Sequence, residues 1–367
     1  MTRIIISGGG TGGHIFPAIA IANAIKSSKP DAEILFVGAK GKMEMEKVPL
    51  AGFPIKGLWI SGLQRRITWK NLSFPFKVIS SLAMASRIIS HFKPDVVIGV
   101  GGYASGPLLR MAVRRKIPTL IQEQNSFPGI TNKLLCRKVD KICVAYEGME
   151  RFFPKEKIIL TGNPVRQDIL LQKVRMEALD SFHLDNEKKV VLIVGGSLGA
   201  GTINKSVLHY LDKPEKPENL QLLWQTGSHH YHQIKTNEKL KDKPDIHVHP
   251  FIERMDLAYA AADIIVSRAG AIAISELCII GKPVILIPSP NVAEDHQTKN
   301  AEALVRKSAA IMLKDQDSID KLFILIKELA ADEALKNTLS NNIKTMALPE
   351  ASSRIAEEAI KLIRNIE

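Results

Sequence analysis

Two successive series of short apolar runs, each opening on a glycine loop, constrain this chain more than any other feature. The first series is Arg3–Ser7, Glu33–Val37, Val96–Val100, Thr119–Gln122, Lys141–Val144 and Ile158–Leu160. After a charged stretch, Arg175–Lys189, the pattern restarts as Val190–Val194, Gln221–Gln225, Ile246–His249, Ile264–Ser267, Val284–Ile287 and Ala310–Leu313. Amphipathic stretches such as Ala18–Ser27 and Ile272–Ile280 lie between them. A strand that is apolar at nearly every position has no side to show to water, so it belongs in a parallel sheet covered by helices on both faces. Two such series predict two Rossmann-like, doubly wound α/β domains. The length of 367 residues and the 45% hydrophobic content suffice for two cores.

The turn residues Gly162-Asn-Pro-Val-Arg166 set the expected boundary near Gly162–Asp168. The expected domains are residues 1–164 and 165–349. The helical run 350–367 has no strand after it and is free to pack back on the first domain.

Each series opens with the same device. Ile4-Ile-Ile-Ser-Gly-Gly-Gly-Thr-Gly-Gly13 and Val191-Leu-Ile-Val-Gly-Gly-Ser-Leu-Gly-Ala200 both read as a strand, a glycine loop and a helix. Such a loop lets backbone approach a ligand, and the helix start aims N–H groups and a positive dipole end at it, which suits phosphate. Gly8-x-Gly10-x-x-Gly13 fits the dinucleotide fingerprint in form. The next strand, however, ends Phe36-Val-Gly-Ala-Lys40, without the acid that holds a ribose. A Walker A loop needs Gly-Lys-Ser/Thr, whereas Gly12-Gly13-His14 stands here. NAD and ATP chemistry are disfavoured on both counts. His14, at a helix start facing the strand ends, is a candidate general base. His229, His230 and His232 form a polar cluster without the context of a metal site.

The chain is basic, with 50 Lys+Arg against 38 Asp+Glu, but unevenly so. Residues 1–160 hold 24 basic and 10 acidic side chains; residues 161–367 hold 26 and 28. The densest part is Ile60–Lys116, where Arg65, Arg66, Lys70, Lys77, Arg87, Arg110, Arg114, Arg115 and Lys116 interleave with Leu63, Ile67, Trp69, Leu72, Phe74, Phe76, Val78 and Ile79. That mixture suits an anionic membrane surface, and no nucleic-acid motif accompanies it. Cys136, Cys143 and Cys278 are odd in number and contain no CxxC pair, so they read as buried small hydrophobes in a reducing compartment. No signal peptide or spanning segment is apparent, and the expected location is the cytoplasmic face of the membrane, held peripherally.

Further motifs follow in order: Gly101-Gly-Tyr-Ala-Ser-Gly-Pro107, Gln122-Glu-Gln-Asn-Ser126, Gly162-Asn-Pro-Val-Arg166, Gly195-Gly-Ser-Leu-Gly-Ala200, Ser267-Arg-Ala-Gly-Ala271 through Glu276, and Asp295-His-Gln297 with Asn300. With Gly-Gly-Thr-Gly-Gly-His at the start, this set closely resembles the bacterial peptidoglycan UDP-N-acetylglucosamine transferases of the MurG type, over essentially the whole chain. The resemblance implies two Rossmann-like domains facing a cleft, the GT-B glycosyltransferase type. It implies inverting transfer of N-acetylglucosamine from UDP to the 4-hydroxyl of undecaprenyl-pyrophosphoryl-N-acetylmuramoyl-pentapeptide, with no cofactor and no metal.

The resemblance also assigns roles. Thr11, Gly12 and Gly13 count with the donor site and face the acceptor pyrophosphate. Asn125 binds the transferred sugar. Arg166 and Ser197 contact the nucleotide part, and Ile252 meets uracil through its backbone. Gly270 and Ala271, at a helix start, hold the diphosphate; Glu276 takes the ribose hydroxyls; Gln297, beside His296, reaches the sugar. Tyr103 and Ser105 face the acceptor. There are departures: Gln122 stands where many relatives have His, and Ala269 and Ala273 stand where relatives often have hydroxyl residues. The first departure leaves His14 as the remaining base. The second leaves backbone N–H groups rather than side chains for the diphosphate. The competing readings are a UDP-N-acetylglucosamine 2-epimerase, a nicotinamide oxidoreductase and a non-catalytic sugar-nucleotide binder. The basic apolar stretch, the missing ribose acid and the retained His14 argue against them in turn.

Overall fold

The computed structural model describes the chain except residues 62–73, 172, 197–198, 214–218, 293–294 and 365–367, and leaves the side chains of 167 and 364 undescribed. It divides into two compact units, Met1–Val165 with Leu348–Glu367, and Arg166–Ala347.

The first unit holds a seven-stranded sheet of β1 (Arg3–Ser7), β2 (Glu33–Ala39), β3 (Ile55–Leu58), β4 (Val96–Gly99), β5 (Thr119–Glu123), β6 (Lys141–Val144) and β7 (Ile158–Leu160), in the order β3-β2-β1-β4-β5-β6-β7. All of these strands pair in parallel. The apolar runs have a direct cause. Ile4, Ile5 and Ile6 are all inaccessible, yet alternate residues enter different cores. Ile5 joins Val97, Ile121 and Ile142 under the helices Phe74–Phe92 and Ser105–Arg114. Ile4 and Ile6 join Ile15, Ile21 and Val96 on the other face. The helix Ala351–Arg364 closes that second face through Ile355, Ala356 and Ala359, which lie in the same cluster as the helix Gly12–Ser28. Strand β3 escaped the sequence reading because it is a sheet edge with Lys56 exposed and Gly57 within it, so no apolar run marks it.

The second unit repeats the plan with six parallel strands: β8 (Lys189–Val194), β9 (Leu220–Gln225), β10 (Ile246–His249), β11 (Ile264–Ser267), β12 (Val284–Leu286) and β13 (Ile311–Met312). Their order is β10-β9-β8-β11-β12-β13. In both sheets the order reverses beside the first strand, between β1 and β4 and between β8 and β11. Loops that leave adjacent strands in opposite directions open a crevice there, at the carboxyl ends. Both glycine loops follow those first strands. All three cysteines are buried and unbridged, and burial pushes the Cys143 and Cys278 thiols up to about 12. Among the described residues, no helix is long and apolar enough to cross a membrane.

Candidate functional site

In the first unit, β1 gives way to the loop Gly8–Gly10 and then to the helix Gly12–Ser28. Thr11 caps that helix in extended backbone without a side-chain hydrogen bond, and no acid stands in the first turn. The inner side of the loop is already occupied by a carboxylate. Glu44 is fully buried, its Oε2 accepts the Gly10 N–H at 2.9 Å, and its Oε1 accepts the Ala39 N–H at 2.9 Å. The acid missing from the end of β2 in the sequence is thus present five residues beyond Ala39, pointed into the loop. That leaves the start of the helix, at Thr11, Gly12 and Gly13, as the face for an anion.

His14 lies half-buried against Gly101, where an added Cβ would stand 2.6 Å from Nδ1. Gly101 has φ +97°, so both space and backbone require glycine. His14 Nδ1 lies 3.0 Å from the Val100 carbonyl and 3.2 Å from Gln124 Oε1. Both are acceptors, so Nδ1 carries the proton and the lone pair of the neutral ring falls on Nε2. That is the tautomer a general base needs.

Asn125 is presented by a loop tied to Glu123 at the end of β5. Glu123 accepts the Asn125 N–H at 2.9 Å, the Gly129 N–H at 3.1 Å and Asn132 Nδ2 at 2.8 Å. Burial pushes the Glu123 carboxyl up, and these donors oppose the shift. Tyr103 is exposed on the loop after β4. Thr11, Gly12, Gly13, His14, Tyr103 and Asn125 therefore all sit beyond the carboxyl ends of β1, β4 and β5. Ser105 does not join them. Its hydroxyl is fully buried and donates to the Ser7 and Gly101 carbonyls at 2.9 and 2.7 Å, so it holds the two loops together instead of facing an acceptor.

In the second unit, the helices Gly201–Leu211 and Ala271–Ile280 start without side-chain caps or first-turn acids. Gly270, the cap residue of the second of these, is extended. Ser197, in the second glycine loop, lies outside the described residues. The loop itself is held by Gln225 at the end of β9. Gln225 Nε2 donates to the Gly196 carbonyl at 3.0 Å, and its Oε1 accepts the Ile252 N–H at 2.9 Å. A backbone contact from Ile252 to a base must therefore come from its carbonyl, since its N–H is taken. Gln297 Oε1 accepts the Ser289 N–H at 2.9 Å.

Glu276 is the electrostatic centre of this unit. It is 6% exposed and faces Arg166, whose Nε lies 3.2 Å from Oε1 and Nη2 3.4 Å from Oε2. The Tyr259 hydroxyl donates to Oε2 at 3.1 Å. Burial raises the Glu276 carboxyl above its ordinary value, with Arg166 and then the Tyr259 hydroxyl pulling the other way. Burial alone would lower Arg166, but the Glu276 charge outweighs it and the guanidinium is held above its usual value. Burial also keeps Tyr259 protonated, as its donor role requires. Among the described residues no group of His, Cys, Asp and Glu is arranged to hold a metal ion.

Sequence reasoning missed Glu44, Gln124, Gln225 and Tyr259. Each is buried and acts on another site residue; Gln124 stood inside the Gln122–Ser126 motif with no role assigned to it, and a lone Glu, Gln or Tyr elsewhere carries no motif. For the two glutamines one signal was available: a polar residue at the end of an otherwise apolar strand needs a partner.

Of the basic apolar stretch, Leu63, Arg65, Arg66, Ile67, Trp69, Lys70 and Leu72 lie outside the described residues. On the helix Phe74–Phe92, Phe76 and Ile79 are 69% and 67% exposed, while Val78 packs on the core. Arg87, Arg110, Arg114, Arg115 and Lys116 are exposed. Lys77 lies 5.8 Å from the Trp59 ring, itself half exposed.

Residues 4–144 match the N-terminal domain of glycosyltransferase family 28, and residues 190–355 its C-terminal domain. A Flavobacterium psychrophilum protein named UDP-N-acetylglucosamine–N-acetylmuramyl-(pentapeptide) pyrophosphoryl-undecaprenol N-acetylglucosamine transferase is 56% identical over 364 residues, covering 99% of this chain and 98% of its own length. The crystal structure of Acinetobacter baumannii MurG superposes with a TM-score of 0.79 at 29% identity, covering 98% of this chain and all of that one. A UDP-GlcNAc 2-epimerase from Neisseria meningitidis shares the fold, with a TM-score of 0.64 at 17% identity over 98% of this chain and all of its own. The chain thus belongs to glycosyltransferase family 28, among the UDP-N-acetylglucosamine-dependent hexosyltransferases named for transfer to N-acetylmuramyl-(pentapeptide) pyrophosphoryl-undecaprenol.

Proposed function

We infer that the protein transfers N-acetylglucosamine from UDP-N-acetylglucosamine to the undecaprenyl-pyrophosphoryl N-acetylmuramoyl-pentapeptide in peptidoglycan synthesis. The observation that carries this is the full-length kinship at 56% identity. The test is to incubate the protein with radiolabelled UDP-N-acetylglucosamine and a lipid-linked muramoyl-pentapeptide analogue. Label entering the lipid fraction is expected. Label that stays in water, as an epimer or as unchanged donor, contradicts the reading.

The residues support the following course. His14 Nε2 accepts the proton of the acceptor 4-hydroxyl as that oxygen bonds to the sugar C1. The bond from C1 to the diphosphate breaks on the opposite face, UDP leaves with the electron pair, and the configuration inverts from α to β. The charge that develops on the departing diphosphate meets the N–H groups at the Gly270–Ala271 helix start. Thr11–Gly13 face the acceptor pyrophosphate, Asn125 and Gln297 orient the sugar, and Ser197 lies with the nucleotide. Glu276 takes the ribose hydroxyls, and Arg166, released from it, reaches the nucleotide diphosphate as a planar fork. Ile252 meets uracil through its carbonyl, and Tyr103 faces the acceptor sugar.

The acceptor is lipid-borne, and exposed Phe76 and Ile79 beside Lys77, Arg87, Arg110 and Arg114–Lys116 fit an anionic bilayer surface. On this reading the protein lies peripherally on the cytoplasmic face of the membrane. Vesicles rich in acidic phospholipid should bind it, and salt should weaken the binding. Equal binding to neutral vesicles would remove the electrostatic part.

A further inference from the structure

Behind His14 runs a chain of buried carboxamides. Gln122, Gln124 and Asn163 are 0%, 2% and 1% exposed. Asn163 Nδ2 donates to the Gln124 backbone carbonyl at 3.0 Å, which leaves Asn163 Oδ1 to accept from Gln122 Nε2 at 2.9 Å. That fixes Gln122 Oε1 toward Gln124 Nε2, which donates to it and also to the Val100 carbonyl at 2.7 Å. Gln124 Oε1 is then the atom facing His14 Nδ1.

Two backbone carbonyls, which can only accept, pin the polarity at both ends. Turning any one carboxamide over sets donor against donor or acceptor against acceptor inside the core, where an unpaired polar group is costly. If Gln124 were reversed, its amino group would face Nδ1 and favour the tautomer whose lone pair lies on the wrong nitrogen.

We propose that Gln122 is a positioning residue for His14, acting through the one-way relay Asn163–Gln122–Gln124 to hold the imidazole in the Nδ1–H form, with the lone pair on Nε2. The proposal rests on the reading of His14 as the base. It explains why a glutamine serves at position 122. A carboxamide accepts from Gln124 and donates to Asn163 at the same time, as a neutral imidazole also can, whereas an apolar side chain of equal length can do neither.

The test uses the full chain with Gln122→Met, Gln122→His and His14→Ala. Two-bond proton–nitrogen NMR on the 15N-labelled protein, at a pH where the ring is neutral, reports the tautomer directly, with the His14 signals assigned by their loss in His14→Ala. The wild type should show Nδ1–H alone. Gln122→Met should mix the tautomers and lower kcat roughly ten-fold, with KM for UDP-N-acetylglucosamine within about two-fold, a small share of what a general base supplies. Gln122→His should restore a single tautomer and most of kcat. An Nε2–H tautomer in the wild type overturns the proposal, as does a Gln122→Met protein with unchanged tautomer and kcat. If Gln122→Met does not fold, the wild-type spectrum and Gln122→His still decide. Normal kcat in His14→Ala would sink the base assignment instead, while the tautomer spectra would still judge the relay.

Discussion

The two units share one sheet plan but solve the same local problem with opposite electrostatics. In each, a buried polar side chain anchors the glycine loop. The first unit uses the carboxylate of Glu44, and the second uses the neutral carboxamide of Gln225. Against His14 Nδ1 the first unit sets the Val100 carbonyl and the Gln124 carboxamide, and it concentrates cations on its surface. Counted over Met1–Val165 and Leu348–Glu367 it holds 27 basic and 14 acidic side chains, a net of +13, against 23 and 24 in the second, a net of −1. The second unit, near neutral overall, buries one carboxylate, Glu276, against Arg166 and Tyr259. The difference follows from the tasks proposed for them. A base must be able to gain a proton, and acceptor dipoles at Nδ1 hold the tautomer whose lone pair lies on Nε2. A carboxylate that reads hydroxyls must stay ionised despite burial, so it needs a cation until substrate arrives.

Four substitutions or titrations break or sharpen this contrast. His14→Ala should lower kcat by about 10²- to 10⁴-fold at saturating donor and acceptor, the usual contribution of a general base; steady-state kinetics with the lipid analogue checks it. Reversal of Arg114, Arg115 and Lys116 to Glu should weaken binding to acidic vesicles by roughly 100-fold or more, at about 1 kcal/mol per cation removed. Reversal of Lys205 and Lys241 in the second unit should change it little, and vesicle sedimentation reads both. Glu276→Gln should raise KM for UDP-N-acetylglucosamine by about ten-fold with a smaller change in kcat, and should remove the preference for ribose over 2′-deoxyribose. The smallest effect concerns Lys282, which is pushed down to about 8 by burial while its Nζ donates to the Ala260 and Ala262 carbonyls. Between about 8 and its ordinary value of 10.5 the unfolded chain binds more protons at this lysine than the folded one. Wild type should therefore gain thermal stability relative to Lys282→Met as pH rises through that window. A constant difference between the two melting curves would remove the effect.

The architecture was legible because burial on both faces of a sheet leaves no choice of residue type. Ile4–Ile6 and Val190–Ile193 announce themselves, and among the described residues only the edge strand Ile55–Leu58, half exposed, stayed silent. Of the candidate site, the backbone elements were legible. Glycine loops and helix starts at Thr11–Gly13 and Gly270–Ala271 leave a pattern, and their positions in the sheets follow from it. What did not show was the layer that acts on those residues. Glu44, Gln124, Gln225 and Tyr259 work through contacts between residues up to 110 positions apart, as His14 and Gln124 are, and no local spacing encodes them. For the same reason the resemblance set Ser105 facing the acceptor, although the partners of its hydroxyl are the carbonyls of Ser7 and Gly101.

The division of labour between the units is the central claim, and UDP affinity measured by calorimetry on His14→Ala and Glu276→Gln tests it most directly. His14→Ala should bind UDP within about two-fold of wild type, while Glu276→Gln should bind it roughly ten-fold more weakly. Loss of UDP binding in His14→Ala, or unchanged binding in Glu276→Gln, would contradict it.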